Sequence, residues 1–319
     1  MKHYLGIDIG SISTKGVIID ENAKVVADTY IWTDGNPIKA VQTLIKNLLD
    51  QLKGKKIEIY GVGTTGSARK LIGIMLGATT VKNEITAHAV GTLNAHPDVR
   101  TILEIGGQDS KIILLKNKIV TDYAMNTLCA AGTGAFLTSQ AKRLDLNIED
   151  FGKIAVSSKN PAKLAARCTV FAESDLVHKI QTGYKKEDIV AGLCNAVADN
   201  YLNNVAKGKK IEAKVVFQGG VSKNEGVVKA FEKALGTEVI VDPHGHLMGA
   251  IGIAILASKN KEERLFDVNM INVTFETKAV ECQKCPNYCE IIAVYKESIF
   301  IDSFGNRCDA GNLSKSESN

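Results

Sequence analysis

Three glycine-containing segments carry the residue types that hold a phosphate group. They are Asp8–Lys15 (DIGSISTK), Gly106–Lys111 (GGQDSK) and Gln218–Ser222 (QGGVS). Glycine lets the backbone approach a phosphate closely, and backbone N–H groups and hydroxyls donate hydrogen bonds to its oxygens. A carboxylate at the end of a strand can hold Mg²⁺, usually through water molecules. The P-loop pattern GxxxxGK[ST] does not occur, so a P-loop nucleotide site is not supported.

Two isolated cysteines suggest a second kind of chemistry. Cys129 and Cys168 lie 39 positions apart, and each precedes a predicted helix. A helix N-terminus stabilises a thiolate and the negative charge of an iron–sulfur cluster. Two thiolates cannot complete a four-cysteine cluster, whereas a two-fold dimer would supply four. We interpret Cys194 as structural, because it lies at the border of the apolar face of a predicted helix.

Four more cysteines lie close together near the C-terminus, in the pattern C-x2-C-x3-C…C. The spacing predicts a metal site, which could hold zinc or a [4Fe-4S] cluster. We favour the cluster, because the segment resembles the N-terminal cluster segment of molybdopterin oxidoreductases. The predicted ligands are Cys282, Cys285, Cys289 and Cys308.

Composition excludes several other classes of protein. The chain has 319 residues, of which 45% are apolar and 23% charged, so we expect a globular protein of one to three domains. The net charge of +4 and the lack of a dense basic stripe argue against a nucleic-acid partner. No segment has the length of a membrane helix or a signal peptide, so we expect a cytoplasmic protein without a membrane partner. The serine-rich residues from Leu313 to Asn319 are predicted to be disordered, and the chain could be a fragment of a longer protein.

Apolar patterns predict an α/β protein with an internal duplication. The unit of strand, glycine turn with an aspartate, and returning strand occurs twice, about 95 residues apart. Predicted strands are 4–9, 16–19, 24–31, 57–62, 101–105, 111–115, 120–123, 215–217 and 239–241. Predicted helices are 38–52, 84–93, 133–144, 173–181, 186–206, 223–235 and 247–257.

The order of the three glycine segments resembles that of the actin-like ATPase superfamily. The resemblance implies two ribonuclease-H-like domains around an ATP cleft, with the first two loops on the phosphates and the third on the adenosine. We place the first domain at 1–95 plus 246–260 and the second, with the cysteine loops, at 96–245. A small cysteine-rich extension at 261–319 would follow.

The motifs CAAGTG and CTVFAES, behind LGIDIGSISTK and IGGQDSK, resemble the ATPase activators of 2-hydroxyacyl-CoA dehydratases and their benzoyl-CoA reductase relatives. This resemblance implies a homodimer that holds one [4Fe-4S] cluster through Cys129 and Cys168 of each subunit. It also implies an electron donor, ferredoxin or flavodoxin, and an acceptor that is a partner iron–sulfur enzyme. ATP hydrolysis would drive the transfer at very low potential.

Within this frame each glycine segment receives a role. The predicted catalytic residues are Asp8, Glu84, Gln108 and Asp109. Glu84 would position the attacking water, although an exposed carboxylate at a helix start is an equally good interpretation. The predicted ATP-binding residues are Gly10, Ser11, Ser13, Thr14, Lys15, Gly106, Gly107, Gly219, Gly220 and Val221.

Two other functions fit parts of the sequence. A small-molecule kinase of the acetate and sugar kinase superfamily would share the fold, but it would not need Cys129 and Cys168. A non-catalytic metal-binding scaffold or regulator would bind iron without ATP-dependent redox change. We interpret Asp242–His246 (DPHGH) as a loop that leads into the last predicted helix and not as a metal site.

Overall fold

The chain forms two structural units, each with its own sheet. The computed structural model describes residues 2–55, 57–126, 132–166 and 168–313. The first unit comprises residues 1–91 and 249–319, and the second comprises 92–248. Cys129, one of the two predicted bridging ligands, lies outside the described residues.

The first unit has a five-stranded sheet in the order β3-β2-β1-β4-β5. Strands β1, β2 and β3 are antiparallel neighbours, whereas β4 runs parallel to β1 and β5 runs parallel to β4. The central strands are apolar on both faces, which is typical of a sheet covered on both sides. The strands are β1 Lys2–Ile9, β2 Ser13–Asp20, β3 Val25–Trp32, β4 Glu58–Gly66 and β5 Thr80–Val81.

Helices cover this sheet. Helix α1 begins at Pro37, where proline needs no hydrogen-bond partner, and the Asn36 side chain caps it by accepting from Lys39 N. Glycines in β1 and β4 let the last helix lie directly on the sheet, because a Cβ at Gly6 would be 2.1 Å from Ala250 O. The helices are α1 Pro37–Gln51, α2 Arg69–Leu76, α3 Glu84–Ala95 and α9 Met248–Ser258.

The second unit repeats the sheet of the first. Its order is β8-β7-β6-β9-β10, with three antiparallel strands followed by two parallel additions. Equal strand order and equal strand directions in both sheets fit the internal duplication predicted from sequence. The strands are β6 Thr101–Ile105, β7 Ser110–Lys116, β8 Ile119–Asn126, β9 Val215–Gln218 and β10 Val239–Val241.

The core of the second unit lies between its sheet and five helices. Tyr201 and Phe217 both meet the ring of Phe231 edge-on, with centroid distances of 5.3 and 5.1 Å. Such edge-to-face contacts fix the helices that carry these rings against the sheet. The helices are α4 Gly134–Arg143, α5 Phe151–Ser157, α6 Thr169–Gln181, α7 Lys186–Asn204 and α8 Glu225–Leu235.

The cysteine-rich extension forms a third sheet in the order β11-β12-β13. It belongs to the first unit, because Phe266 and Phe275 are buried in the same core as β1 and α1. The linker follows β4, where Phe266 N donates to Ile59 O at 2.8 Å. The strands are β11 Phe275–Glu281, β12 Glu290–Lys296 and β13 Ile299–Phe304.

The α/β class and nearly all predicted elements are confirmed. The sequence analysis omitted the helices α2 and α5 and the strands β5 and β11, whereas the hairpin of β12 and β13 was predicted at 291–294 and 299–301. Helices of eight and seven residues are too short for a clear helical period, and five residues of β11 are exposed. Among the described residues, no helix combines the length and the apolar character that crossing a membrane would require.

Candidate nucleotide site and cysteine segments

The first glycine turn closes the hairpin of β1 and β2. Gly10 N donates to Ser13 O at 3.0 Å, which sets the turn. Asp8 lies directly opposite Lys15 in the strand register, and the Lys15 Nζ is 3.5 Å from Asp8 Oδ2. Asp8 is buried and Lys15 is half-buried, with its ammonium above the ring of Tyr30. The turn therefore presents a carboxylate and an ammonium side by side.

Two glycines leave space for the Asp8 carboxylate. A Cβ at Gly66 would lie 2.7 Å from Asp8 Oδ1, and a Cβ at Gly249 would lie 2.9 Å from Asp8 Oδ2. The same Cβ at Gly249 would lie 3.1 Å from His88 Nε2, so His88 lies near Asp8. Glu84 lies one turn before His88 in the first turn of α3 and is half-buried.

The predicted ligands Ser11 and Thr14 have different surroundings. Ser11 is exposed on the turn, whereas Thr14 is fully buried. The Thr14 hydroxyl lies 2.9 Å from that of Thr33, and Thr33 Oγ1 donates to Gly10 O at 2.8 Å. The side chain of Thr14 thus supports the turn from the inside.

The second glycine turn has the same backbone geometry and a richer set of charges. Gly106 N donates to Asp109 O at 2.9 Å, as Gly10 does to Ser13. Lys111 is opposite Glu104 in the register, and its Nζ is 3.0 Å from Glu104 Oε2 and 2.8 Å from Asp109 Oδ1. Glu104 and Lys111 are buried and Asp109 is half-buried, while Gln108 is exposed at the tip of the turn.

The third glycine turn packs against the second. Gly219 has φ of +88°, and a Cβ there would lie 2.3 Å from Ile105 O and 2.7 Å from Glu104 Oε1. Residues Gly220–Lys223 then form a short 3-10 helix in which Val221 is buried. Bare backbone at these turns is a cradle that any side chain would fill. These residues therefore fit a nucleotide phosphate, and Asp8 and Asp109 are acids of the kind that holds Mg²⁺.

The second turn is hydrogen-bonded to the start of α4. Gly134 N donates to Gly106 O at 2.8 Å and Ala135 N donates to Gly107 O at 2.9 Å. The Ser110 hydroxyl, which is fully buried, donates to Gly132 O at 2.5 Å. Gly132 follows the segment 127–131 that contains Cys129. The second glycine turn is thus hydrogen-bonded to the residues that follow this cysteine segment.

Cys168 is a half-buried thiol at the start of α6. It caps this helix in an extended conformation, and its carbonyl accepts from Ala172 N at 3.0 Å. A thiol in this place is close to the N-terminal helix dipole and partly accessible, which fits a ligand of a negatively charged cluster. The placement of its predicted partner Cys129 is outside the described residues.

Glu173 and Asn200 connect the regions beside the two cysteines. Glu173 on α6 accepts from Gln140 at 2.9 Å and from Arg143 at 3.2 Å, and both donors are on α4. Asn200 on α7 donates to Ala166 O at 2.5 Å, and its Oδ1 would lie 2.7 Å from a Cβ at Gly132. Sequence reasoning missed Asn200, because a single asparagine in an apolar helix gives no motif.

The four C-terminal cysteines lie at one end of the third sheet. Cys282 and Cys289 are buried beside Ile291, and Cys282 N donates to Cys289 O at 2.8 Å. Cys285 is half-buried in the loop between them, and Cys308 is exposed after β13. In the part of the chain that the structure describes, no three His, Cys, Asp or Glu side chains are arranged to hold a metal ion. The predicted ligands are neighbours in the fold, but they do not form a ligand set.

Cys194 is a buried thiol in α7. Burial raises its pKa to about 12, although its Sγ–H donates a weak hydrogen bond to Asn224 Oδ1 at 3.6 Å. A thiol with so high a pKa stays protonated and is a poor metal ligand. The interpretation of Cys194 as structural is confirmed.

The pattern GxGxxG occurs at residues 61–66 (GVGTTG), and sequence reasoning overlooked it. In the structure these glycines are in β4, on which α9 packs. A Cβ at Gly63 would lie 2.4 Å from Ile253 O, so helix packing requires a bare backbone there. Sequence reasoning also missed Glu104. The signal that could have found it is an acidic residue seven positions before a lysine, as in Asp8 and Lys15.

Comparison with known proteins decides the family. The model of the BadF/BadG/BcrA/BcrD ATPase family matches residues 5–257. The chain belongs to this family. It is 34% identical to the 2-hydroxyisocaproyl-CoA dehydratase activator of Clostridioides difficile, over 84% of this chain and 100% of the activator. It is 35% identical to the (R)-2-hydroxyglutaryl-CoA dehydratase activating ATPase of Acidaminococcus fermentans, over 81% of this chain and 97% of the relative.

A solved structure of the same family supports the fold. The activator of the 2-hydroxyisocaproyl-CoA dehydratase from Clostridium difficile with bound ADPNP superposes with a TM-score of 0.75 at 34% identity. The match covers 80% of this chain and 94% of that chain. The predicted actin-like fold, extended by a C-terminal sheet, is thereby confirmed for this member of the BadF/BadG/BcrA/BcrD family.

Proposed function

We propose that this chain is an ATP-driven activator that passes a low-potential electron to a partner iron–sulfur enzyme. The observation that carries the proposal is the hydrogen bonding between the second phosphate turn and the start of α4. Gly106, Gly107 and Ser110 are in that turn, and their partners directly follow the segment of Cys129. A change of the nucleotide bound at the turn would therefore alter the backbone next to the segment of Cys129. The relatives are activators of 2-hydroxyacyl-CoA dehydratases, which supports the same function.

The glycine turns would bind Mg-ATP. Asp8 and Asp109 would hold Mg²⁺ through water, and Lys15 would offset phosphate charge. The bare backbone at Gly10, Gly106 and Gly219 would let the nucleotide approach the turns closely. The remaining contacts would come from Ser11, Ser13, Gly107, Gly220 and Val221, while Thr14 would support the first turn from the inside.

Hydrolysis requires a positioned water. Glu84 would orient this water, with Gln108 at the tip of the second turn as a further polar contact. The carboxylate of Glu84 is half-buried in the first turn of α3. From there it would accept a hydrogen bond from the attacking water.

Two protomers would hold the redox centre. Cys129 and Cys168 of each protomer would ligate one [4Fe-4S] cluster in a homodimer. The cluster, when bound, supplies one-electron chemistry. Cys168 would bind as a thiolate stabilised by the start of α6, and Glu173 would keep α4 and α6 in a fixed relation through Gln140 and Arg143. Ferredoxin or flavodoxin would be the electron donor.

Coupling needs two conformations that the nucleotide states prefer differently. The Ser110–Gly132 and Gly106–Gly134 hydrogen bonds are short, and Ser110 is fully buried. Movement of the turn would thus displace the start of α4 without an intervening flexible segment. The C-terminal cysteines receive no step here, because they do not form a ligand set in the described structure.

The first test is anaerobic analysis of iron and acid-labile sulfide in the purified full-length chain. One shared cluster predicts about four iron atoms per dimer, and clusters at both C-terminal motifs would raise this to about twelve. Protein without iron but with intact ATPase activity would contradict the proposal. That result would favour the kinase hypothesis, for which a substrate screen with sugars and acetate is the next experiment.

A further inference from the structure

We infer that Lys111 is a positioning residue, which holds the Asp109 carboxylate against the second glycine turn in the orientation that Mg²⁺–nucleotide needs. The inference rests on the proposed ATP-binding function of this turn. It assigns to Lys111 no contact with the nucleotide. Its effect is transmitted through Asp109.

The burial of Lys111 is the first observation. Its side chain is 3% exposed, yet it carries an ammonium group. A buried ammonium requires charged or polar partners, since desolvation disfavours the ion. Glu104 Oε2 at 3.0 Å and Asp109 Oδ1 at 2.8 Å meet this requirement. One cation thus joins two carboxylates of unequal exposure, because the side chain of Glu104 is 6% exposed and that of Asp109 is 32% exposed.

The backbone around this cluster is fixed. The Tyr201 hydroxyl donates to Lys111 O at 2.5 Å, and burial raises the pKa of Tyr201 so that the hydroxyl keeps its proton. Glu104 lies beneath two glycines, since its Oε1 would be 3.3 Å from a Cβ at Gly106 and 2.7 Å from one at Gly219. Neither Lys111 nor Glu104 can relocate without moving a glycine turn. Asp109 is therefore anchored to a buried part of the turn.

The charge balance favours a cation as the ligand of this cluster. Two carboxylates and one ammonium leave about one unit of negative charge when all three are ionised. Lys111 occupies Oδ1 of Asp109 and so restricts the orientation of the half-exposed carboxylate. A carboxylate held in one rotamer binds a hydrated cation with less loss of conformational entropy. Removal of Lys111 should thus weaken Mg²⁺ binding, even though the loss of its positive charge would by itself favour a bound cation.

The test measures Mg²⁺ dependence in the full-length protein. ADP binding is followed by calorimetry at increasing Mg²⁺, for wild type, Lys111→Met and the double variant Glu104→Gln/Lys111→Met. The double variant leaves no buried unpaired charge, so its thermal stability should be closer to wild type than that of Lys111→Met. We expect both variants to need about tenfold more Mg²⁺ for half-maximal binding, because misplacing a binding group by a fraction of an ångström has effects of this size.

A matched control is Lys209→Met, which removes a lysine from a more exposed pair with Asp122 in the same unit. It should leave the Mg²⁺ dependence within about twofold of wild type. Wild-type Mg²⁺ dependence in the double variant would overturn the inference, because Lys111 would then only balance the charge of Glu104. Loss of the fold in both variants would overturn it as well. Absence of Mg-ADP binding in the wild type would instead refute the proposed function itself.

Discussion

The hairpins at residues 8–15 and 104–111, the first and the second hairpin, share one backbone arrangement but differ in the surroundings of their charged side chains. Residues 8–15 and 104–111 align without a gap, each with an acid on the first strand opposite a lysine on the second. In the first hairpin the lysine is half-buried and 3.5 Å from its acid. In the second it is buried and contacts two acids, Glu104 and Asp109. The same arrangement thus gives one lysine that is partly exposed and one that is internal.

The hairpins also differ in what their inner hydroxyls contact. Thr14 and Ser110 occupy equivalent positions before the lysine. Thr14 contacts Thr33 at the end of β3, whereas Ser110 donates to Gly132 next to the cysteine segment. Before residue 129 the sequence contains no cysteine. Among the described residues, the hydrogen bond next to the segment of Cys129 thus comes from the second hairpin.

The largest expected effect separates the two strand acids. Asp8→Asn should lower the rate of ATP hydrolysis by about 100-fold, because it removes a charge that acts on the bound metal and phosphates. Glu104→Gln should lower it by about tenfold or less, since Glu104 acts only through Lys111. Steady-state ATPase assays at saturating Mg²⁺ measure both variants. Equal losses would show that the two acids have equivalent roles and would remove the distinction between the hairpins.

The next effect concerns the cysteines of the second unit. Cys168→Ser should abolish the shared cluster, because a hydroxyl is a poor iron ligand, while Cys194→Ser should keep it. Both changes are made in a Cys282→Ser background so that the C-terminal motif contributes no cluster. Iron analysis is the measurement, and ADP binding is the control for folding. Full iron content in the Cys168→Ser protein would exclude Cys168 as a ligand.

A more subtle effect is expected from the inner hydroxyls. Ser110→Ala should retain nucleotide binding but lose the nucleotide-induced change in hydrogen exchange at the start of α4, because its bond to Gly132 is gone. Thr14→Val should retain this change and lower the free energy of unfolding by about 1 kcal/mol. Hydrogen-exchange mass spectrometry of the chain without iron, recorded with and without Mg-ATP, measures both effects. If the exchange response of Ser110→Ala is unchanged, the Ser110–Gly132 hydrogen bond does not transmit nucleotide binding to α4.

The smallest effect is on stability at high pH. Burial raises the pKa of Cys194 from 9.0 to about 12, so this thiol ionises in the unfolded chain before it does in the folded one. Its contribution to stability is complete below pH 9 and is lost as the pH rises from there toward 12. Between pH 8 and pH 10 the wild type should lose about 1 kcal/mol more than Cys194→Ala, as measured by urea unfolding. An equal loss would mean that the thiol is accessible.

Much of the fold followed from the sequence, and the reasons are local. The apolar runs of β1 and β6 and the glycine turns after them define both hairpins, and α1 has a clear helical period with a proline start. Helices α2 and α5 lack the length that makes such a period visible. The hairpin residues were predicted from their types, because glycine, hydroxyl and acid side chains at a turn have few other uses.

The remaining parts of the site depend on contacts between distant residues. Tyr201 and Asn200 lie on α7, 90 positions after Lys111 and 68 positions after Gly132, which they respectively contact. No spacing in the sequence relates them to those segments. The glycines at 61–66 match a nucleotide pattern, yet the close approach of α9 to Gly63 and of Asp8 to Gly66 shows why they are needed. Tertiary packing decided these roles.

The most direct test of the central claim is an electron paramagnetic resonance spectrum of the dithionite-reduced wild-type protein, recorded anaerobically with and without Mg-ATP. We expect a signal from one reduced iron–sulfur cluster per dimer. We also expect Mg-ATP to change this signal, because the second hairpin would transmit nucleotide binding to the cysteine segment. A signal that is identical in both samples would contradict the coupling. The absence of any signal, with ATP hydrolysis intact, would contradict the redox function.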